Sequence, residues 1–269
     1  FIQDCLTAID KNGIDLVIFN TIDRDYDWAW KLMKSLDVPC ILTLHNVNTW
    51  LKPPFTLNRK ALKNYAYRKK IVKRSSAFIV LDEPIRQYIH RNKLTRKEVL
   101  YAPYNFKQRR SEIIHSEVLS IAVPGAIDGH RRDHRLVLRL AQRIQDHQLP
   151  VEINLVGVAL GPEGKAILDK TNELKRNGCP IHHFYEPNSN ALFDRVMSRA
   201  DVVLLPLNIH TNFEGIPEIY GTTKATGVVF DMMRFSTPGI VPNDLEVSGS
   251  MSNCTVTFET EEDIMKIIL

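Results

Sequence analysis

Short runs of Val, Ile and Leu recur along this chain with helix-length segments between them, and that alternation restricts the fold more than any other feature. "DLVIFN" (15–20), "PCILTLH" (39–45), "AFIVLD" (77–82) and "EVLYAPY" (98–104) read as strands, with "DWAWKLMKSLD" and "EPIRQYIHRNK" as helices. Strands this uniformly apolar are covered on both faces, which predicts parallel sheets with helices on each side. The alternation restarts at "LSIAVPGAI" and continues through "VEINLVGVAL", "IHHFYE", "DVVLLPL", "GIVP" and "TVTFE". In the first helix of this second half, Leu136, Val137, Leu138, Leu140, Ala141 and Ile144 fall at helical spacing.

Two consecutive βα series predict an α/β protein of two Rossmann-like, doubly wound domains facing a cleft. The expected domains are 1–108 and 117–269, with "NFKQRRSEIIHSE" (105–117) as the linker and hinge. Charge supports the division. Residues 1–116 hold 21 Lys and Arg against 11 Asp and Glu, a net +10, whereas the whole chain of 269 residues carries only +4. A basic half and an acidic half imply different partners. The basicity centres on "RKALKNYAYRKKIVKRSS", a helix-like stretch that reads either as a solvated face or as a surface for anionic lipid or a phosphate-bearing acceptor. No aromatic-interleaved recognition motif accompanies it, so nucleic acid is not the expected partner.

No apolar run reaches the roughly 18–20 residues that a membrane-spanning helix needs. Cys5, Cys40, Cys179 and Cys254 are scattered without metal-ligand spacing, as free thiols of a reducing cytoplasm would be. The chain starts at Phe1 on one helix-like segment and stops on another, so it reads as part of a longer protein.

In doubly wound sheets ligands bind outside the carboxyl ends of the strands. "PGAIDGHRRDH" follows a strand there. Gly125 permits close backbone approach, Asp133 is a plausible N-cap, and Arg131 and Arg132 bring two guanidinium groups to a helix start, an arrangement suited to an oligophosphate. "TTKATG" repeats the arrangement, with Lys224 as a point charge, Thr226 as a hydroxyl and Gly227 leaving backbone N–H groups uncovered, although without Walker spacing. Asp231, one turn further on, is placed to accept hydrogen bonds from a ribose diol or to pair with Arg234. His45, at a strand end in the basic half, is a candidate general base or acceptor-orienting group, and equally a structural histidine. Asp23, Asp25 and Asp27 precede a helix and read as capping acids rather than metal ligands. His182 and His183 are adjacent in a strand, so they point to opposite faces and do not chelate one metal.

Taken together, "VEINLVG", "FYEPNSNALFDRVMSRADVVLLPL", "GVVFDMMRFSTPGIVP", "VPCILTLHNVN" and "SSAFIVLDEPIRQYI" resemble the segments that define the group-1 (family 4) glycosyltransferases of the GT-B fold. The resemblance implies a metal-independent transferase that moves a hexose-like sugar from a nucleotide-diphosphate donor, a substrate rather than a cofactor, to a glycan or lipid-linked acceptor in cell-surface polysaccharide or glycolipid synthesis. It places Asp231 on the donor ribose, Arg131 or Arg132 with Lys224 on the diphosphate, and His45 near the transferred sugar. It also makes 1–108 the acceptor-side domain, incomplete at its start, and 117–269 the nucleotide-sugar-binding domain. With the basicity of residues 59–74, the expectation is a cytoplasmic protein that touches the inner face of an anionic membrane. One position departs from the pattern. The family's two glutamates lie eight residues apart, and Thr223 stands eight before Asp231, with Glu214 and Glu218 upstream. That departure keeps two alternatives in view, a nucleotide-sugar epimerase of the same fold and a non-catalytic binding protein.

Overall fold

The computed structural model describes residues 1–53, 58–102, 117–185 and 190–269, which divide into two compact units. The first unit holds the described residues up to 102 together with Asn212–Ala225. The second holds those from 117 to Thr211 together with Thr226–Leu269.

Chain order in the first unit is α1 (Ile2–Lys11), β1 (Val17–Phe19), α2 (Tyr26–Lys34), β2 (Cys40–Thr43), α3 (Val47–Leu51), α4 (Arg59–Arg74), β3 (Ala77–Val80), α5 (Glu83–Arg91) and β4 (Val99–Tyr101). The four strands form one parallel sheet in the order β1-β2-β3-β4, with Ile18 opposite Ile41, Leu42 opposite Phe78 and Ile79 opposite Leu100. All four residues of β2 are buried, as its unbroken apolar run predicts. Met33, Leu42, Ile71, Phe78 and Ile85 are fully enclosed at the centre of this core. At the start of α2, Asp25 takes the N-cap position but its side chain makes no capping hydrogen bond, and Asp27 pairs with Lys63 at 3.5 Å.

The second unit continues with β5 (Leu119–Pro124), α6 (His134–Asp146), β6 (Val151–Val156), α7 (Gly161–Arg176), β7 (Ile181–Phe184), α8 (Asn190–Met197) and β8 (Val202–Leu204). In chain order the hairpin of β9 (His210–Phe213) and β10 (Ile216–Ile219) follows, and from Asn212 on it counts with the first unit. Then come α9 (Gly227–Phe235), β11 (Gly239–Pro242), α10 (Gly249–Ser252), β12 (Thr255–Phe258) and α11 (Glu261–Ile268). Six strands form a parallel sheet in the order β12-β11-β8-β5-β6-β7. The chain runs outward from β5 through β6 to β7, then returns to the other side of β5 at β8. The carboxyl ends of β5 and β8 therefore form the topological switch point, where sheets of this kind bind ligands. The apolar stripe of α6 packs down onto this sheet: Val137, Leu140, Ala141 and Ile144 are completely buried, with Leu136 and Leu138 partly so. Asp133 caps α6 by accepting from the Leu136 N–H at 3.0 Å, as the sequence predicts.

The expected linker, 105–117, lies almost wholly outside the described residues. The segment 212–225, which the sequence reading puts in the second domain, counts with the first unit. The physical reason is a set of polar contacts to α3 and α4. The Val47 N–H donates to the Thr223 carbonyl at 2.8 Å, Glu218 is 1% exposed against Thr49, and Arg68 pairs with Glu214 at 2.6 Å.

Candidate functional site

At the end of β5 the backbone turns at Gly125 with φ +105°, a conformation that side chains rarely adopt. A Cβ there would run into the Arg132 guanidinium, and one at Gly157, at the end of β6, would strike the Gly125 carbonyl. Two glycines therefore let the β5 and β6 ends and Arg132 pack together. Arg132 is buried and donates from Nη1 to the Ala126 carbonyl at 3.4 Å. Its neighbour Arg131 turns instead to Asp128, which accepts from the Arg131 Nε, from the Arg131 N–H at 3.0 Å and from the His130 N–H at 3.2 Å. Burial alone would raise the Asp128 carboxyl. The hydrogen bonds and charge of Arg131 outweigh it and hold Asp128 below the usual carboxylate range.

The start of α9 is open. Thr226 takes the N-cap position without a side-chain capping bond, no acid lies in the first turn, and the space beside Gly227 is empty to 4 Å. Backbone N–H groups and the positive end of the helix dipole are left available to an anion. One turn along, burial pushes the Asp231 carboxyl up to about 6, against the opposing charges of Arg234 and Arg132, while Asp194 adds to the rise. Arg234 is bonded to Asp194 at 2.7 Å, so its guanidinium is directed to that acid rather than to Asp231. Gly125, Arg132 and Asp231 are thus gathered in the second unit, with Thr226 and Gly227 on the same helix as Asp231. Beyond the ends of β5, β6 and β7 lies a cavity of about 490 Å³ walled by Gly125, Ala126, Gly157, Phe184, Tyr185 and Phe193. Its size and mixed apolar and backbone lining suit an aromatic or sugar-bearing small molecule. His183 donates from Nε2 to the Gly157 carbonyl at 2.7 Å, and the His182 ring lies tilted against that of Phe184 at 6.2 Å, so the two histidines part company as their strand position predicts.

Lys224 and His45 belong to the first unit. His45 sits just beyond β2, half-buried, with Nε2 2.8 Å from the Asn20 carbonyl and 3.3 Å from the Thr21 hydroxyl. A carbonyl only accepts, so the His45 Nε2 carries a proton and donates to the Asn20 carbonyl. The next residue, Asn46, accepts from the Lys224 Nζ, and the two form a backbone bridge. The ammonium also lies 5.4 Å from the Phe213 ring centre and 5.7 Å from that of Tyr220. The loop after β2 and the residues after the hairpin are therefore one polar cluster.

Sequence reasoning missed the group that holds this cluster. Glu218 accepts from the Thr49 N–H and hydroxyl, each at 2.8 Å, and from the Asn48 N–H at 3.3 Å, capping α3 from a distant part of the chain. The available signal was the period of two in β10, which sets Glu218 on the same buried face as Ile216. Burial raises its carboxyl above the ordinary range, although hydrogen bonds from Thr223, Thr49 and Asn48 oppose the shift. Asp82, the N-cap of α5, was missed as well. It is 6% exposed and is pushed up to about 6 by burial first, with Glu83 adding to the rise.

No protein-family model matches the sequence, and no curated protein matches it either. Solved structures do. Sucrose-phosphate synthase from Thermosynechococcus elongatus aligns with 100% of this chain and 67% of its own at a TM-score of 0.63 and 16% identity. Anabaena HepE in complex with UDP aligns with 99% of this chain and 71% of its own, at a TM-score of 0.61 and 13% identity. WaaG, a glycosyltransferase involved in lipopolysaccharide biosynthesis, aligns with 98% of this chain and 70% of its own, at 0.60 and 14%. The likeness is one of fold and spans about two thirds of each relative's length. The chain has the α/β, Rossmann-like fold of the GT-B glycosyltransferases.

Proposed function

We propose that this protein is a glycosyltransferase that moves a sugar from a nucleotide-diphosphate donor to a glycan or lipid-linked acceptor, in the synthesis of cell-surface polysaccharide or glycolipid. The observation that carries the reading is the packing of Arg132 on the Gly125 turn at the end of β5, where Gly125 also lines the 490 Å³ cavity and the charge of Arg132 acts on Asp231. HepE, of the same fold, is a complex with UDP, and WaaG acts in lipopolysaccharide biosynthesis.

In this reading the cavity takes the nucleoside, Asp231 accepts from the ribose diol, and the diphosphate rests on the start of α9 near Arg131 and Arg132. The bond between the sugar's anomeric carbon and the diphosphate oxygen breaks, and the acceptor hydroxyl oxygen forms the new glycosidic bond. Fixed guanidinium groups and helix N–H groups stabilise the charge that develops on the leaving diphosphate, so no metal is assigned a role. The first unit supplies the acceptor side, where His45 takes the proton that the acceptor hydroxyl releases and Lys224 adds a cation.

The same reading gives α4 a role at the inner face of the cytoplasmic membrane. Among its described side chains Arg59, Leu62, Lys63, Ala66, Lys69, Lys70 and Lys73 are exposed, recurring at helical spacing along one face. The neighbouring α2 adds exposed Trp28, Lys31 and Lys34, a mixture of cations and apolar groups that suits anionic headgroups. Among the described residues no helix is long and apolar enough to cross a membrane.

Isothermal titration with UDP, GDP and ADP tests the donor assignment. At least one binds the protein, and Arg132→Ala weakens it by about tenfold or more, the scale of one lost charge-assisted phosphate contact. If none of the three binds, the reading fails.

A further inference from the structure

Asp231 is supported by charge and yet uncommitted. Among the described residues nothing hydrogen-bonds or ion-pairs with its carboxylate, and the opposing charges that act on it are those of Arg234 first and then Arg132. Arg234 lies three positions further along α9, so the two side chains share one face of the helix and are spaced to pair. They do not pair. The Arg234 guanidinium is bonded through Nη2 to Asp194 on α8 at 2.7 Å, with 23% and 15% of the two side chains exposed. An acid 40 positions away in the chain holds the cation that stands beside Asp231.

The place of Asp194 explains the diversion. Asn190, Leu192 and Phe193, its neighbours on α8, form part of the wall of the 490 Å³ cavity. The Phe193 ring lies 6.1 Å from that of Phe235 on α9, and the Arg234 guanidinium lies 5.0 Å from the same Phe235 ring. One ion pair and one ring contact therefore join the helix that walls the cavity to the helix that carries Asp231. A direct pair between Asp231 and Arg234 would put guanidinium N–H groups on the carboxylate oxygens that a diol has to reach. Without the guanidinium, a partly buried carboxylate would lose opposing charge, and an acid in that setting takes up a proton. Neither arrangement presents an open carboxylate. A guanidinium held on Asp194 does, because charge acts over distance whereas a hydrogen bond needs contact.

We propose that Asp194 and Arg234 are positioning residues of the donor site: Asp194 holds the Arg234 guanidinium off Asp231, so that Asp231 stays charged and open to the ribose diol. This rests on the reading of Asp231 as the ribose acid. Both residues act through Asp231 rather than by touching the nucleotide. The charged groups that face Asp231 are Arg234 on its own helix, Arg132 ahead of α6 and Asp194 on α8. The two members of the pair carry opposite charges, so their removal acts on Asp231 in opposite directions. Loss of Arg234 favours the protonated acid, and loss of Asp194 favours the carboxylate.

The test is isothermal titration of the full chain, between about pH 5 and pH 9, with UDP and its 2′,3′-dideoxy analogue, or with the GDP or ADP pair where UDP does not bind. The terminal phosphate titrates alike in both nucleotides, so the ratio of their affinities reports Asp231. In the native protein the preference for the diol is lost on the acid side of about pH 6. Arg234→Gln moves that midpoint up by about one pH unit or more, and Asp194→Asn moves it down. Circular dichroism checks that each variant is folded, and either variant alone tests the sign of its own shift. A pair that only joined the two helices would weaken both nucleotides in both variants and leave the midpoint in place. The proposal alone is overturned if the native protein prefers the diol but the midpoint is unmoved, or moves the same way, in the two variants. A native protein that binds no nucleotide overturns the donor reading and the proposal with it.

Discussion

The Glu218 carboxylate accepts from both the backbone N–H and the hydroxyl of Thr49 through one oxygen, each at 2.8 Å, across 169 positions of sequence. Its other oxygen takes the Asn48 N–H, so the first turn of α3 is capped by a side chain from β10. The hairpin segment is thereby an integral part of the first unit, and the loop carrying His45 and Asn46 is held at its far end.

Removing that carboxylate leaves the buried Thr49 N–H and hydroxyl, and the part-buried Asn48 N–H, without their acceptor. Glu218→Ala is expected to destabilise the first unit by about 3 kcal/mol, and Glu218→Gln, which retains one acceptor oxygen, by about 1 kcal/mol. All three tryptophans of the chain, Trp28, Trp30 and Trp50, lie in this unit. Urea unfolding followed by tryptophan fluorescence therefore reads its stability directly. Equal midpoints for native protein and Glu218→Ala would show that the cap contributes nothing.

Asp82 predicts a pH dependence. Burial raises its folded-state value to about 6 from the ordinary 3.8, so between these values the folded state binds more protons than the unfolded state. The contribution of Asp82 to stability is therefore greatest at low pH and declines as pH rises through about 4 to 6. Asp82→Asn has no charge to bury. Relative to the native protein it is expected to gain about 2–3 kcal/mol between about pH 4 and pH 7. Fluorescence-detected urea melts at several pH values measure this, and a pH-independent difference would contradict it.

The two glycines at the strand ends predict different failures. In Gly125→Ala the new methyl group meets the end of a flexible arginine, at a backbone angle of +105°. Nucleotide binding is expected to weaken about tenfold or more as Arg132 is displaced, with a smaller loss of stability. In Gly157→Ala the methyl group meets the backbone of Gly125, which cannot move aside as a side chain can. That variant is expected to destabilise the second unit by about 2 kcal/mol or more. Calorimetric unfolding with nucleotide titration separates the two outcomes.

The α4 face predicts salt-sensitive adsorption to anionic vesicles. Each lysine near such a surface contributes about 1 kcal/mol, so Lys69→Ala with Lys73→Ala is expected to weaken binding to phosphatidylserine-containing vesicles by about 30-fold. Co-sedimentation at low and physiological salt reads this. Equal binding to neutral vesicles, or no effect of the double substitution, would contradict a membrane role.

The elements were legible in the sequence because they rest on local pattern. The apolar run at β2, the stripe of α6 and the cap at Asp133 each require only neighbouring residues, and each appears where the pattern puts it. The gathering of Gly125 with Arg132 was legible for the same reason, since seven positions of one loop separate them. What the pattern did not reveal was partnership at a distance. "IPEIYGTTKATG" gives no sign that Glu218 caps α3 or that Lys224 bonds Asn46, because those contacts depend on how a hairpin packs 170 or more residues from its partners. Burial of an acid is equally hard to see in advance. The carboxyl of Asp82 at the mouth of a sheet and that of a solvated N-cap have the same sequence signature, and only the enclosing side chains distinguish them.

The most direct measurement of the central claim compares a nucleoside diphosphate with its 2′,3′-dideoxy analogue, on the native protein and on Asp231→Ala. The nucleotide used is whichever of UDP, GDP and ADP binds. If the ribose diol rests on Asp231, the native protein binds the dideoxy analogue about tenfold or more weakly, the scale of a lost hydrogen bond to a carboxylate, and Asp231→Ala binds the two equally. If the native protein does not distinguish the two nucleotides, or if Asp231→Ala still prefers the diol, Asp231 does not hold a ribose and the donor site lies elsewhere.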